Sequence, residues 1–144
     1  MNFKFKYKVL HILSCEKESG YYISIDSNYN TIECSSINNK EEILNSKYIS
    51  IDLNLLNIIL NIIQSNMDIF NLNSILYSEG EYSDVEQEFY FELDDKNRKI
   101  EGNNIRIKYS YKNEVKLLLK VFDLIAAELL KVNIKIDLDC INII

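Results

Sequence analysis

Proline and tryptophan are absent from this 144-residue chain, glycine occurs three times and histidine once. Its glycines, Gly20, Gly80 and Gly102, stand alone. P-loops and dinucleotide fingerprints need several glycines at fixed spacing, so neither can be present, and no Pro/Gly/Ser-rich linker divides the chain. The lone His11 excludes any mechanism that requires two histidines, and its neighbours Leu10 and Ile12 supply neither nucleophile nor orienting partner. Cys15, Cys34 and Cys140 are odd in number and widely spaced, with no CxxC pair. That pattern gives neither a zinc site nor a disulfide framework and fits reduced thiols in a cytosol. No apolar run approaches the roughly 18 residues of a membrane span. The apolar stretch before Ser14-Cys15 is too short for a signal segment and continues a strand-like alternation. A cytoplasmic protein without membrane association is expected.

Basic residues are missing from one long stretch. Between Lys47 and Lys96 there are ten acids and no base, whereas residues 1–47 are balanced and residues 96–144 carry a net charge of +4, leaving the chain at −6. Eight of the ten acids fall within 79–95, interleaved with Tyr77, Tyr82, Phe89, Tyr90 and Phe91. A concentrated acidic, aromatic surface attracts a basic partner and repels nucleic acid and anionic lipid.

What is abundant is isoleucine, asparagine, lysine and tyrosine, all with A/T-rich codons, while alanine and arginine are scarce. The bias is that of a low-GC bacterial or phage genome, and it accounts for much of the asparagine. The hydrophobic content of 47% supports a real core, and a chain of this length is expected to form a single domain, 1–144.

Alternation locates the strands. Phe3, Phe5, Tyr7 and Val9 alternate with lysines, and the pattern slips at 10–13, where a bulge or a doubly buried end is expected. Strands follow at 21–26 and 31–35 across the turn residues 27–30. Asn39 with Glu42 resembles a capping box and predicts a short helix to about Ser46. Leu53, Leu56, Leu60 and Ile63 predict a second helix starting near Asp52, with Asn54, Asn57 and Asn61 opposite. The segment 69–77 is ambiguous. Gln87, Phe89, Phe91 and Leu93 alternate with Glu86, Glu88, Tyr90 and Glu92, a strand with one core face and one acidic face. A polar connection over 94–104 and a basic strand over 105–111 are expected next, its Arg106 and Lys108 set against the glutamates. A long helix over 114–131, capped by Asn113, and a last strand over 132–140 complete the chain, and strand–helix–strand succession allows a parallel crossover. The expected fold is α+β: a largely antiparallel twisted sheet of five to seven strands with two long helices packed on one face.

Few residues suggest chemistry. Asp137 and Asp139 share a strand face, as do Glu86 and Glu88, and paired carboxylates of that kind can serve a magnesium site. They also occur on any solvated strand. Glu114-Val115-Lys116 after Asp94 or Asp95 has the order of a nuclease motif but opens a helix, where a glutamate complements the dipole. Lysines interleaved with aromatics suggest a nucleic-acid platform, but in a strand the two types face opposite sides. No catalytic residue, metal or cofactor is therefore assigned. The expectation is a small inhibitory binding protein, of the kind represented by toxin-immunity proteins or phage-encoded inhibitors of nucleic-acid enzymes. It would engage a basic protein (a nuclease, toxin or nucleic-acid-handling enzyme) through Tyr77, Glu79, Glu81, Tyr82, Asp84, Glu86, Glu88, Tyr90 and Glu92. The alternatives are a divalent-metal enzyme using Asp137 and Asp139, and an accessory or scaffold subunit using the asparagine-striped helix.

Overall fold

A computed structural model describes residues 2–77 and 84–143. Seven strands form one sheet: β1 Phe3–His11, β2 Gly20–Asp26, β3 Thr31–Ile37, β4 Ile43–Ser50, β5 Ile75–Leu76, β6 Val85–Leu93 and β7 Lys96–Gly102. Their spatial order is β4-β3-β2-β1-β6-β7-β5, antiparallel throughout except for the short parallel pair β5–β7. The helices are α1 Leu53–Gln64, a 3-10 turn Met67–Asn71, α2 Ile105–Tyr109 and α3 Asn113–Leu130. The expected α+β architecture is present, and the two long helices are α1 and α3.

Period-two burial explains the layering. Phe3, Phe5, Tyr7 and Val9 of β1 are fully buried, while Lys4, Lys6 and Lys8 face the other way. Ile23 and Ile25, Ile32, Phe89 and Phe91, and Ile100 continue the inner surface across neighbouring strands. Leu55, Leu56, Ile59 and Ile63 of α1 close over it with Val115, Leu118, Phe122 and Ile125 of α3. Tyr7 lies at the centre, with its ring 4.9 Å from Phe89 and edge-on to Phe122 at 5.0 Å. Fully burying one such aromatic ring contributes about 1.5–3 kcal/mol. The pattern slip at the end of β1 is a doubly buried end: Val9 and Leu10, on opposite faces of the strand, are both buried. Gly20 sits opposite Leu10, and a Cβ there would fall 2.1 Å from the Val9 carbonyl oxygen, so no larger residue fits.

Four expectations are corrected. Residues 40–46 do not form a helix. Asn38 Oδ1 accepts the Lys40 and Glu42 amides in a turn, Glu41 takes φ 63°, and the chain re-enters the sheet as β4. The polar stretch 94–104 contains a strand, β7, paired with β6 along its whole length. Residues 105–111 are not a strand. Asn104 turns the chain at φ 47°, Gln87 Oε1 accepts the Ile105 N–H at 3.0 Å, and α2 follows. Ile105 is buried and Ile107 is 74% exposed, so the apparent alternation was half of a helical pattern. Residues 132–140 form no strand; the expected alternation in burial holds only from Ile134 through Ile136 to Leu138, while Val132 and Cys140 at its ends are exposed. This segment lies over the inner face of the sheet instead of along an edge, and side chains take its carbonyls. Tyr7 and Gln87 donate to the Leu138 oxygen and Tyr21 to that of Asp137. The predicted caps divide: Asp52 caps α1 through the Asn54 amide at 2.8 Å, while Asn113 is already helical and α3 has no side-chain cap.

Candidate partner-binding face

The side of the sheet opposite the helices is the surface on which the predicted residues can be judged. Glu86, Glu88, Tyr90 and Glu92 project from it along β6, because their neighbours Gln87, Phe89, Phe91 and Leu93 are drawn into the core. Tyr77 directly follows β5 and Asp84 directly precedes β6. Glu79, Glu81 and Tyr82 lie outside the described residues.

The two strands flanking β6 decide its electrostatics. On one side Lys4, Lys6 and Lys8 of β1 stand opposite Glu92, Tyr90 and Glu88; on the other, Asn97, Lys99 and Glu101 of β7 stand opposite the same three. Glu88 is held between Lys8 and Lys99, each 3.5 Å away. Lys8 also bonds Glu41, and Lys99 lies 3.0 Å from Glu101. Partial burial works against the Lys8 charge, but Glu41 and Glu88 outweigh it and raise its pKa; Lys99 is raised by Glu101 and Glu88. The same contact with Lys8 lowers the pKa of Glu41. Basic neutralisation of Glu88 is therefore real, and among the described residues it is supplied by Lys8 and Lys99, not by the expected Arg106. Arg106 instead pairs with Asp123 of α3 at 2.8 Å.

Glu86 and Glu92 make no ion pair among the described residues. Glu92 accepts the Tyr90 hydroxyl at 3.0 Å, and Tyr90 is held protonated by partial burial and by that bond. Tyr77 is likewise raised, first by partial burial and then by the charge of Glu86. At the same end, the Asp84 carbonyl accepts the Ile12 amide, and its carboxylate stands 3.9 Å from His11 Nε2. The structure thus splits the row. Glu88 is compensated at its centre, Tyr77, Asp84 and Glu86 gather at one end, and Tyr90 with Glu92 lies at the other.

The other chemical candidates are also placed. The aromatic residues of β1 are core, so only its lysines face out. Asp137 Oδ1 accepts the Asp139 amide at 2.9 Å, and Asp139 Oδ1 accepts Gln87 Nε2 at 3.3 Å, so both carboxylates shape the segment that they belong to. Among the described residues no group of three or more His, Cys, Asp or Glu side chains could hold a metal ion. Cys34 is buried, and burial pushes its thiol up to about 11. No helix among the described residues is long and apolar enough to cross a membrane. Sequence reasoning missed the part that Lys99 plays, since its strand shows only one buried apolar residue, Ile100, and no hydrophobic period. It also passed over the outer face of β2–β4, where Glu33 stands among tyrosines; the signal available was the alternation of Glu33 with buried Ile32 and Cys34.

No protein-family model matches the chain, and no curated protein matches it in sequence.

Proposed function

We propose that this chain is a small binding protein that docks a basic partner protein through the acidic, tyrosine-bearing end of its open sheet face. The contact set is Tyr77, Asp84 and Glu86, with Glu79, Glu81 and Tyr82 in the adjoining segment and Tyr90 and Glu92 further along β6. The observation that carries the reading is that Glu86 and Glu92 face outward from the uncovered side of the sheet without an ion pair among the described residues. Unpaired carboxylates steer a basic surface into encounter, lifting association rates above the uncharged range of about 10⁵–10⁶ M⁻¹s⁻¹. Tyrosine adds contact area at low entropic cost and is common among binding hot spots. The role proposed is inhibitory, as in toxin-immunity proteins or phage-encoded inhibitors of nucleic-acid enzymes, with the basic site of the partner occluded. Glu88 belongs to the scaffold of the face, since Lys8 and Lys99 already hold it.

The test has two stages. A tagged pull-down from the native host, eluted in steps of salt, identifies the partner, whose own activity is then assayed with this protein added. Joint reversal of Glu79, Glu81 and Glu86 to lysine is expected to slow association at least roughly tenfold at low salt and to flatten its salt dependence. Reversal of Glu86 alone, which faces outward, should leave thermal stability within about 0.5 kcal/mol of the parent. An unchanged association rate, or a partner whose activity is unaffected, removes this reading.

A further inference from the structure

Across the β1 lysines from the acidic row, the open face carries a groove over β2, β3 and β4 with a volume of about 500 Å³, lined by Ser24, Asp26, Tyr29, Thr31, Glu33 and Tyr48. From its geometry we infer that this groove receives the side chain of an arginine presented by a partner polypeptide. The inference goes beyond the acidic-row reading and does not depend on it.

Glu33 anchors the argument. Its Oε1 accepts the Tyr22 hydroxyl at 2.7 Å and those of Ser35 and Tyr48 at 3.4 Å; among the described residues its Oε2 has only the Ser24 hydroxyl, at 3.4 Å. All four donors are neutral. No lysine, arginine or histidine nitrogen lies within 4 Å of this carboxylate among the described residues. The nearby lysines are otherwise engaged: Lys4 lies 3.9 Å from Asp26, and the Lys6 ammonium sits 4.2 Å over the Tyr22 ring. Other outward carboxylates of the same face do have a cation, Asp26 at Lys4 and Glu88 at Lys8. Glu33 is therefore a fixed anion, oriented by hydroxyls, with one oxygen weakly engaged.

The walls supply the second half. Tyr29, in the β2–β3 turn, is 74% exposed, and Tyr48, on the edge strand, is 67% exposed. Neither ring contributes to the core, and both line the groove beside the polar floor that Glu33 and Ser24 form. A guanidinium suits this arrangement better than an ammonium. It is planar, stacks on a tyrosine face, is less strongly hydrated, and presents a fork of donors to a carboxylate. Because the hydroxyls already fix Glu33, little ordering is left for the moment of binding.

The test is a titration of the isotopically labelled full chain, followed by amide NMR, with a blocked Gly-Arg-Gly peptide and its lysine and citrulline counterparts. Saturable shifts centred on Ser24, Thr31, Glu33 and Tyr48 are expected with the arginine peptide, weaker ones with lysine and none with citrulline, which keeps the shape but lacks the charge. Glu33→Gln should weaken the arginine peptide roughly tenfold, and Tyr48→Ala, at an exposed position, should weaken it with the fold unchanged. Reversal of Glu86 should leave this titration as it is, so failure here and failure of the acidic-row reading are separable. The inference is overturned by shifts that are absent from the groove, equal with citrulline, or unaltered in both variants; a lysine peptide that matches arginine overturns the guanidinium assignment.

Discussion

Gln87 shows how one polar side chain on a core face can organise distant parts of a chain. It is 2% exposed, donates to the Leu138 carbonyl at 2.9 Å and accepts the Ile105 amide at 3.0 Å. It thereby joins β6, the start of α2 and the C-terminal segment. Gln87→Leu keeps the volume roughly and leaves a buried N–H without its partner, a loss of about 1–3 kcal/mol. Tyr7→Phe should cost less, about 1 kcal/mol, because Gln87 still satisfies the shared Leu138 carbonyl. Urea unfolding midpoints check both, and a Gln87→Leu protein as stable as the parent would show that the bridge is incidental. The sequence placed Gln87 on the inward side of its strand, by alternation with Glu86 and Glu88. It held no sign of what Gln87 would meet, because both partners are backbone groups 18 and 51 residues away.

At the scale of elements, β6 is specified by its own period and β7 by its neighbour. Val85–Leu93 alternates cleanly, whereas Lys96–Gly102 offers Ile100 alone to the core and becomes a strand because β6 presents a ladder for it. Their pairing makes unequal charge reversals a sharp test. Glu88→Lys would set a third cation between Lys8 and Lys99, and cross-strand like charges should lower stability by about 1 kcal/mol. Glu86→Lys stands opposite Leu10, with no ion pair to break among the described residues, and should change stability by less than about 0.5 kcal/mol. Equal melting shifts for the two would mean that the lysine clamp on Glu88 contributes nothing. The failure at 105–111 has the same origin. Ile105 and Ile107 fit a period of two, but Ile105 and the partly buried Tyr109 also fit i, i+4, and the core accepted the helical pair.

The whole molecule is a single inner face closed by two helices and an irregular C-terminal segment, and its buried titratable groups make its stability sensitive to alkali. Burial raises the Tyr7 hydroxyl well above its usual range, with Tyr21 adding to the effect. Tyr21 is raised by burial and by Asp137, and the Cys34 thiol is pushed up to about 11. In the unfolded chain these groups lose protons near their ordinary values, about 8.5 for the thiol and about 10 for tyrosine. The folded state then binds more protons than the unfolded one, so stability is complete below about pH 8 and declines as pH rises, by up to roughly 1.4 kcal/mol per unit for each group in its window. Urea midpoints should therefore fall first through the Cys34 window, a fall that Cys34→Ala removes, and again above about pH 10. A flat midpoint across that range would contradict the burial of all three. Sequence by itself determined which residues face inward along β1 and β6, because hydrophobic period is a local property of a strand; along α1 it did so only in part, since Leu56 and Ile63 of the expected stripe are buried but Leu53 is exposed. It likewise determined that acidic and basic residues are segregated along the chain. Only the tertiary structure decided that Lys8 and Lys99 hold Glu88, that 132–140 covers a face instead of joining an edge, and that Glu33 gathers four hydroxyls. Each depends on which strand lies beside which, and that is settled by the packing of the whole sheet against its helices.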